Sequence, residues 1–126
     1  MTALLDTTIL IDHLRGSEAA ERLLLSLFGR RERVWAAVPT RSEIIAGIRE
    51  TERVRMNDLF SVVSWVDIDA QIADAAGELA REFRLTHPGV DTVDYLIAAA
   101  AQTIGAQLLT LNVKHFPMFA GLSAPY

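Results

Sequence analysis

Three acids stand where carboxylates can do metal or acid–base work: Asp6, Glu43 and Asp94. Asp6 closes the short apolar segment Ala3–Leu5, at the point where an amphipathic stretch begins. Its carboxylate can cap a helix N-terminus, accepting the first free N–H groups and favouring the helix dipole. It can also face a cation, and the hydroxyls of Thr7 and Thr8 in the same turn suit either role. Glu43 follows Thr40-Arg41-Ser42 at capping-box spacing, with Thr40 bonding forward and Glu43 reaching back. It also directly precedes Ile44-Ile45 and Gly47, so it can project inward over a sheet edge; spacing alone leaves both readings open.

Asp94 carries more weight. At about 100° per residue it lies along the stripe of Ile97, Ala98 and Ala101, on a helix apolar almost all round. A buried carboxylate without a partner either protonates or requires a cation. The nearest basic residues in sequence are Arg84 and Lys114, both outside that helix, so a metal or an Arg from elsewhere in the fold is the remedy. Asp91 can share the face but suits the helix cap better. Thr110 and Asn112 mark another strand end, where Asn112 can offer an oxygen to a metal's water or cap the next turn. His13, His87 and His115 show no ligand spacing and read as surface or loop residues. Oxygen donors gathered without His or Cys favour Mg²⁺ or Mn²⁺ over zinc. Such ions polarise a phosphoryl oxygen and activate water for in-line attack on a phosphodiester. No Gly-rich phosphate loop or dinucleotide fingerprint is present.

The elements that must position these residues alternate. Short apolar strands are expected at 3–5, 34–38, 64–68 and 107–111, with 122–126 as an edge strand. Helices are expected over 7–14, 18–28, 40–50, 54–62, 69–85 and 91–103, with a short one over 112–119. Such alternation predicts an α/β fold of three layers, with a small, mainly parallel sheet covered on both faces. Functional residues then gather at the carboxyl ends of the strands, which puts Asp6 and Asn112 on one edge.

The composition bounds the rest. A chain of 126 residues with 51% hydrophobic and 22% charged residues predicts one compact domain, residues 1–126. Zero cysteines exclude disulfides, zinc–thiolate sites and thiol nucleophiles. The N-terminus shows no targeting pattern, and the apolar run 95–101 is far short of a membrane span. The expectation is a cytoplasmic protein with no membrane contact. The net charge of −4 speaks, taken as a whole, against binding a polyanion.

Four segments in order nevertheless resemble the PIN-domain family, and specifically the toxin ribonucleases of bacterial VapBC toxin–antitoxin pairs. They are Leu4-Leu5-Asp6-Thr7-Thr8-Ile9, Ser42-Glu43-Ile44-Ile45-Ala46-Gly47, Asp94-Tyr95-Leu96-Ile97-Ala98-Ala99 and Leu109-Thr110-Leu111-Asn112-Val113-Lys114-His115-Phe116. The resemblance implies a Mg²⁺-dependent endoribonuclease, with Mn²⁺ as substitute, cleaving RNA with Asp6, Glu43, Asp94 and Asn112. Asp6 and Asp94 would be the metal ligands, with Asp91, Thr8 and Thr110 as additional candidates. It also implies a homodimer and a VapB-like antitoxin that blocks the site. Relatives often carry a fourth acid where Asn112 stands, and many carry Asp where His115 precedes Phe116, so one tightly held ion is implied. Two other classes remain in view: a catalytically silent antitoxin-binding module, and a receiver-type signalling domain. The receiver's adjacent acidic pair after the first strand is missing here. Charge is also uneven. Residues 29–56 hold seven Arg against four Glu, a surplus of three, while the remainder carries a deficit of seven. Arg30, Arg31, Arg33 and Arg49 are thus expected either as an RNA-facing rim beside Glu43 or as a solvated helix face.

Overall fold

The computed structural model describes residues 2–126. Four strands, β1 (Ala3–Leu5), β2 (Val34–Ala37), β3 (Ser64–Val66) and β4 (Gln107–Leu109), form one sheet in the order β3-β2-β1-β4. Every pairing is parallel, with Leu4 opposite Trp35 and Leu108. The expected sheet was mainly parallel; the one found is entirely so.

Because successive strand residues face opposite sides, each strand feeds two cores. Leu5, Val34, Ala36 and Leu109 pack under α1 (Thr7–Leu14), α2 (Glu18–Gly29), α3 (Val38–Gly47) and α4 (Arg53–Val62). Leu4, Ala37, Val66 and Leu108 pack under α5 (Ala70–Phe83) and α6 (Thr92–Thr103). This is the three-layer arrangement. Within α6, residues 98–101 are four alanines with no exposed surface, and their small size lets the helix lie close on the sheet. A larger side chain there would overpack the core at a cost of about 1–3 kcal/mol.

Four expectations are corrected. Strand β2 ends at Ala37, and Val38 and Pro39 open α3. Proline needs no N–H donor in a first helical turn, where that hydrogen bond is missing anyway. Helix α3 stops at Gly47, and Glu50–Glu52 forms a separate 3₁₀ turn. Residues 122–126 are not a strand. After a turn at Gly121 (φ 70°) the chain crosses to α1, where the Tyr126 hydroxyl donates to Asp12 Oδ2 at 2.8 Å. The short helix expected at 112–119 reduces to a 3₁₀ turn, Val113–His115. No helix among the described residues is long and apolar enough to cross a membrane.

Candidate active site

Parallel strands bring their carboxyl ends to one edge, and the chain after β1, β2 and β4 meets there. Asp6 occupies the position before α1 but makes no side-chain cap to that helix. Its carboxylate turns into the fold and is only 4% exposed. There Asp6 Oδ2 accepts from Thr8 Oγ1 at 3.0 Å and from Thr110 Oγ1 at 2.8 Å. The capping reading of Asp6 therefore gives way to a carboxylate clamped by two hydroxyls. The clamp is tied down in turn: Thr8 Oγ1 accepts from the Leu111 N–H, Thr110 Oγ1 from the Asn112 N–H, and the Asp6 N–H donates to the Leu109 carbonyl.

Glu43 resolves in the same direction. Thr40 lies inside α3, fully buried, so it does not cap Glu43. Thr7 instead donates to Glu43 Oε1 at 2.6 Å and pairs with the Thr40 hydroxyl at 2.9 Å. Thr7 adjoins Asp6 in sequence, so the hydroxyl contact ties the second acid to the first. Sequence spacing could not show this, because the link runs between two helices.

Asp91 and Asp94 form a reciprocal capping box at the start of α6: each carboxylate accepts from the other's backbone N–H, at 3.0 and 3.2 Å. Asp91 is thus the helix cap. The partner that Asp94 needs is neither Arg nor Lys but His115, whose Nδ1 lies 3.0 Å from Asp94 Oδ2. The loop reading of His115 is corrected accordingly. The signal was its position three residues after Asn112, which a 3₁₀ turn stacks on one side. Asn112 Nδ2 lies 3.4 Å from the same ring nitrogen. Burial, with repulsion from Asp91 and Asp6, pushes the Asp94 carboxyl up to about 6, against the pull of its backbone hydrogen bond and of His115.

A divalent ion would meet a specific donor set here. Asp6 and Asp94 each direct Oδ2 to protein donors, while neither Oδ1 has one among the described residues. No three His, Asp or Glu side chains among the described residues close into a metal cage. Two carboxylates in an open, all-oxygen site suit a hard ion that keeps much of its water, as Mg²⁺ does. The uncompensated charge felt by Asp94 is what such an ion would neutralise. The residues present fit the group.

The expected basic rim does not assemble beside Glu43. Arg30, Arg31 and Arg33 precede β2 and lie with Thr2 at the amino ends of the strands, the opposite edge from Asp6. Arg49 follows α3 and heads the 3₁₀ turn at Glu50–Glu52.

Known proteins share both the sequence and the shape. Residues 3–120 match the PIN domain family. Ribonuclease VapC19 of Mycobacterium tuberculosis is 49% identical over 98% of each chain, and Ribonuclease VapC10 of the same organism is 40% identical over 98% of this chain and 92% of its own. In shape, a chain of a toxin–antitoxin complex from Klebsiella pneumoniae superposes with a TM-score of 0.81 at 27% identity, covering 99% of this chain and 98% of that one. The chain belongs to the PIN-domain family, in the branch that holds the VapC ribonucleases.

Proposed function

We propose that this protein is the endoribonuclease toxin of a type II toxin–antitoxin pair, a single PIN-like domain that hydrolyses RNA phosphodiester bonds in the cytoplasm with one Mg²⁺ ion. The observation that carries the proposal is the meeting of Asp6 and Asp94 at one sheet edge, each with a carboxylate oxygen free of protein donors. The names of its full-length relatives supply the substrate class, and the toxin–antitoxin neighbour supplies the partner, a VapB-like antitoxin. Mn²⁺ is the expected substitute ion, and a homodimer the expected free form.

When bound, the ion supplies Lewis-acid polarisation of a phosphoryl oxygen and lowers the pKa of water. The chain's own residues do the rest. Thr8 and Thr110 hold Asp6 by Oδ2 and leave Oδ1 without a protein donor. Asp91 and His115 fix Asp94 in the same way. To Glu43, held through Thr7, we assign the orienting of the attacking water and the acceptance of its proton. Asn112, exposed beside His115, offers an amide to the RNA.

The test is cleavage of RNA by antitoxin-free protein with Mg²⁺, with EDTA, and by Asp94→Asn. Loss of cleavage in both controls supports the reading. Cleavage undiminished in both overturns the metal assignment, and a metal-binding protein that cuts no RNA is instead the silent antitoxin-binding module.

A further inference from the structure

The arginines that do not reach the carboxylates build something of their own. Arg30, Arg31 and Arg33 rim an open groove of about 380 Å³ whose floor is Trp35 and Ile104, with Thr2 and Glu32 also lining it. Arg30 is engaged by Ser26 Oγ at 2.9 Å and by Glu32 at 4.0 Å. Arg31 and Arg33 have no carboxylate partner among the described residues. The Arg33 guanidinium lies 5.9 Å from the centroid of the Trp35 ring, held by the ring rather than by an acid.

Arg31 is also the one non-glycine among the described residues with positive φ, at 58°. A side chain in the left-handed region costs backbone energy that glycine would avoid, and such residues concentrate at binding sites. Two free guanidinium groups offer fork-shaped donors that match a phosphate. The groove falls within the size range of small-ligand sites, and its indole floor offers a face on which a base can stack.

We infer that this groove is a second nucleotide subsite, in which Arg31 and Arg33 take a phosphate of single-stranded RNA and Trp35 receives its base. The inference rests on the ribonuclease reading for the identity of the polymer. The groove lies at the amino ends of the strands and the carboxylates at the carboxyl ends, separated by the run of β1 from Thr2 to Asp6, about 13 Å. A long RNA can therefore occupy both, whereas a very short one bound at the carboxylates cannot. The groove would govern affinity for length without touching the cleavage step.

The experiment compares the wild-type chain with the double variant Arg31→Gly, Arg33→Gln. Glycine removes the charge at position 31 and relaxes the backbone there, and glutamine keeps the stem over Trp35, so the thermal midpoint should hold or rise. Binding of a labelled oligouridylate of about twenty nucleotides is measured in EDTA across a salt series. The variant should bind roughly tenfold more weakly, with the slope of log affinity against log salt reduced by about 0.7 for each guanidinium lost. Arg31→Lys with Arg33→Lys should recover most of that slope, and kcat on a tetranucleotide in Mg²⁺ should match wild type. Equal affinity and equal slope in the Gly/Gln variant overturn the inference. Failure of the ribonuclease reading gives a different signature: wild type that does not cut RNA in Mg²⁺ yet loses RNA binding through these two substitutions keeps the groove and discards the catalysis.

Discussion

Thr110 donates its hydroxyl to Asp6 Oδ2 across 2.8 Å, joining two side chains 104 residues apart that are both almost wholly out of solvent. Thr110 Oγ1 in turn accepts from the Asn112 N–H, so one methyl-and-hydroxyl side chain holds both a carboxylate and the turn that carries His115. Thr110→Val keeps the shape and removes the hydroxyl. It leaves the buried acid one donor short and the Asn112 N–H without its acceptor, which should cost about 1–3 kcal/mol. Thr110→Ser should restore most of it. Thermal unfolding checks both, and a Val variant as stable as wild type would show that Thr8 alone suffices to hold Asp6.

Asp94→Asn should separate stability from activity. The metal-free fold resists ionising this group, whose carboxyl is pushed up to about 6 chiefly by burial and by Asp91. A neutral amide should therefore raise the melting temperature at pH 7.5 without metal while abolishing cleavage. It should also lose the stabilisation that Mg²⁺ gives wild type, about 2.7 kcal/mol at a hundredfold excess over Kd. Calorimetry with and without Mg²⁺ reads both effects. A drop in the metal-free melting temperature would contradict the account of Asp94.

The same shift sets a pH dependence. Since the folded protein holds the Asp94 proton more tightly than the unfolded chain, this group's contribution to metal-free stability is fully present below about pH 4 and is lost as pH rises through about 6. Metal binding needs the ionised form, so the dependence runs the other way: Mg²⁺ affinity should weaken as pH falls below 6. Saturating Mg²⁺ should move the acid limb of the cleavage profile to lower pH, because the cation favours the carboxylate. His115→Ala removes a group that lowers the Asp94 carboxyl and should move that limb upward. Profiles at two Mg²⁺ concentrations decide the matter, and a limb unmoved by both metal and mutation would exclude Asp94 as the titrating group.

Arg41 predicts stability alone. Its guanidinium lies 4.4 Å from the Phe60 ring centroid and 4.7 Å from that of Trp65, while the two rings meet edge-on at 5.0 Å. Arg41→Ala should lose about 1 kcal/mol, a few degrees in melting temperature, with cleavage unchanged. Arg41→Lys should recover only part, lacking the planar stack. A fall in kcat without a fall in stability would instead place Arg41 at the RNA.

What the sequence made legible, and what it did not, follows from the range of the interactions. Strand and helix alternation was readable because both faces of a covered parallel sheet demand apolar runs such as Ala3–Leu5 and residues 97–101. Asp94 was readable as a candidate site residue because its own helix surrounds it with apolar neighbours. The roles of Asp6, Glu43 and His115 were not, because each is decided by a partner on another element: Thr110, Thr7 and Asp94. Local patterns favoured a cap at Asp6 and allowed one at Thr40, and tertiary hydroxyl contacts overrode both. Arg30, Arg31 and Arg33 misled for a topological reason. They are near Glu43 in sequence, but β2 lies between them, and one strand carries the chain from one edge of the sheet to the other.

The sheet order places β1 between β2 and β4, so the first strand made has the last strand as a neighbour. The Asp6 clamp cannot close until Thr110 has left the ribosome. At bacterial elongation rates of about 5–20 residues per second, the first carboxylate waits on the order of 5–20 s for the hydroxyl that holds it. Until then the Asp6 carboxylate has the Thr8 hydroxyl alone.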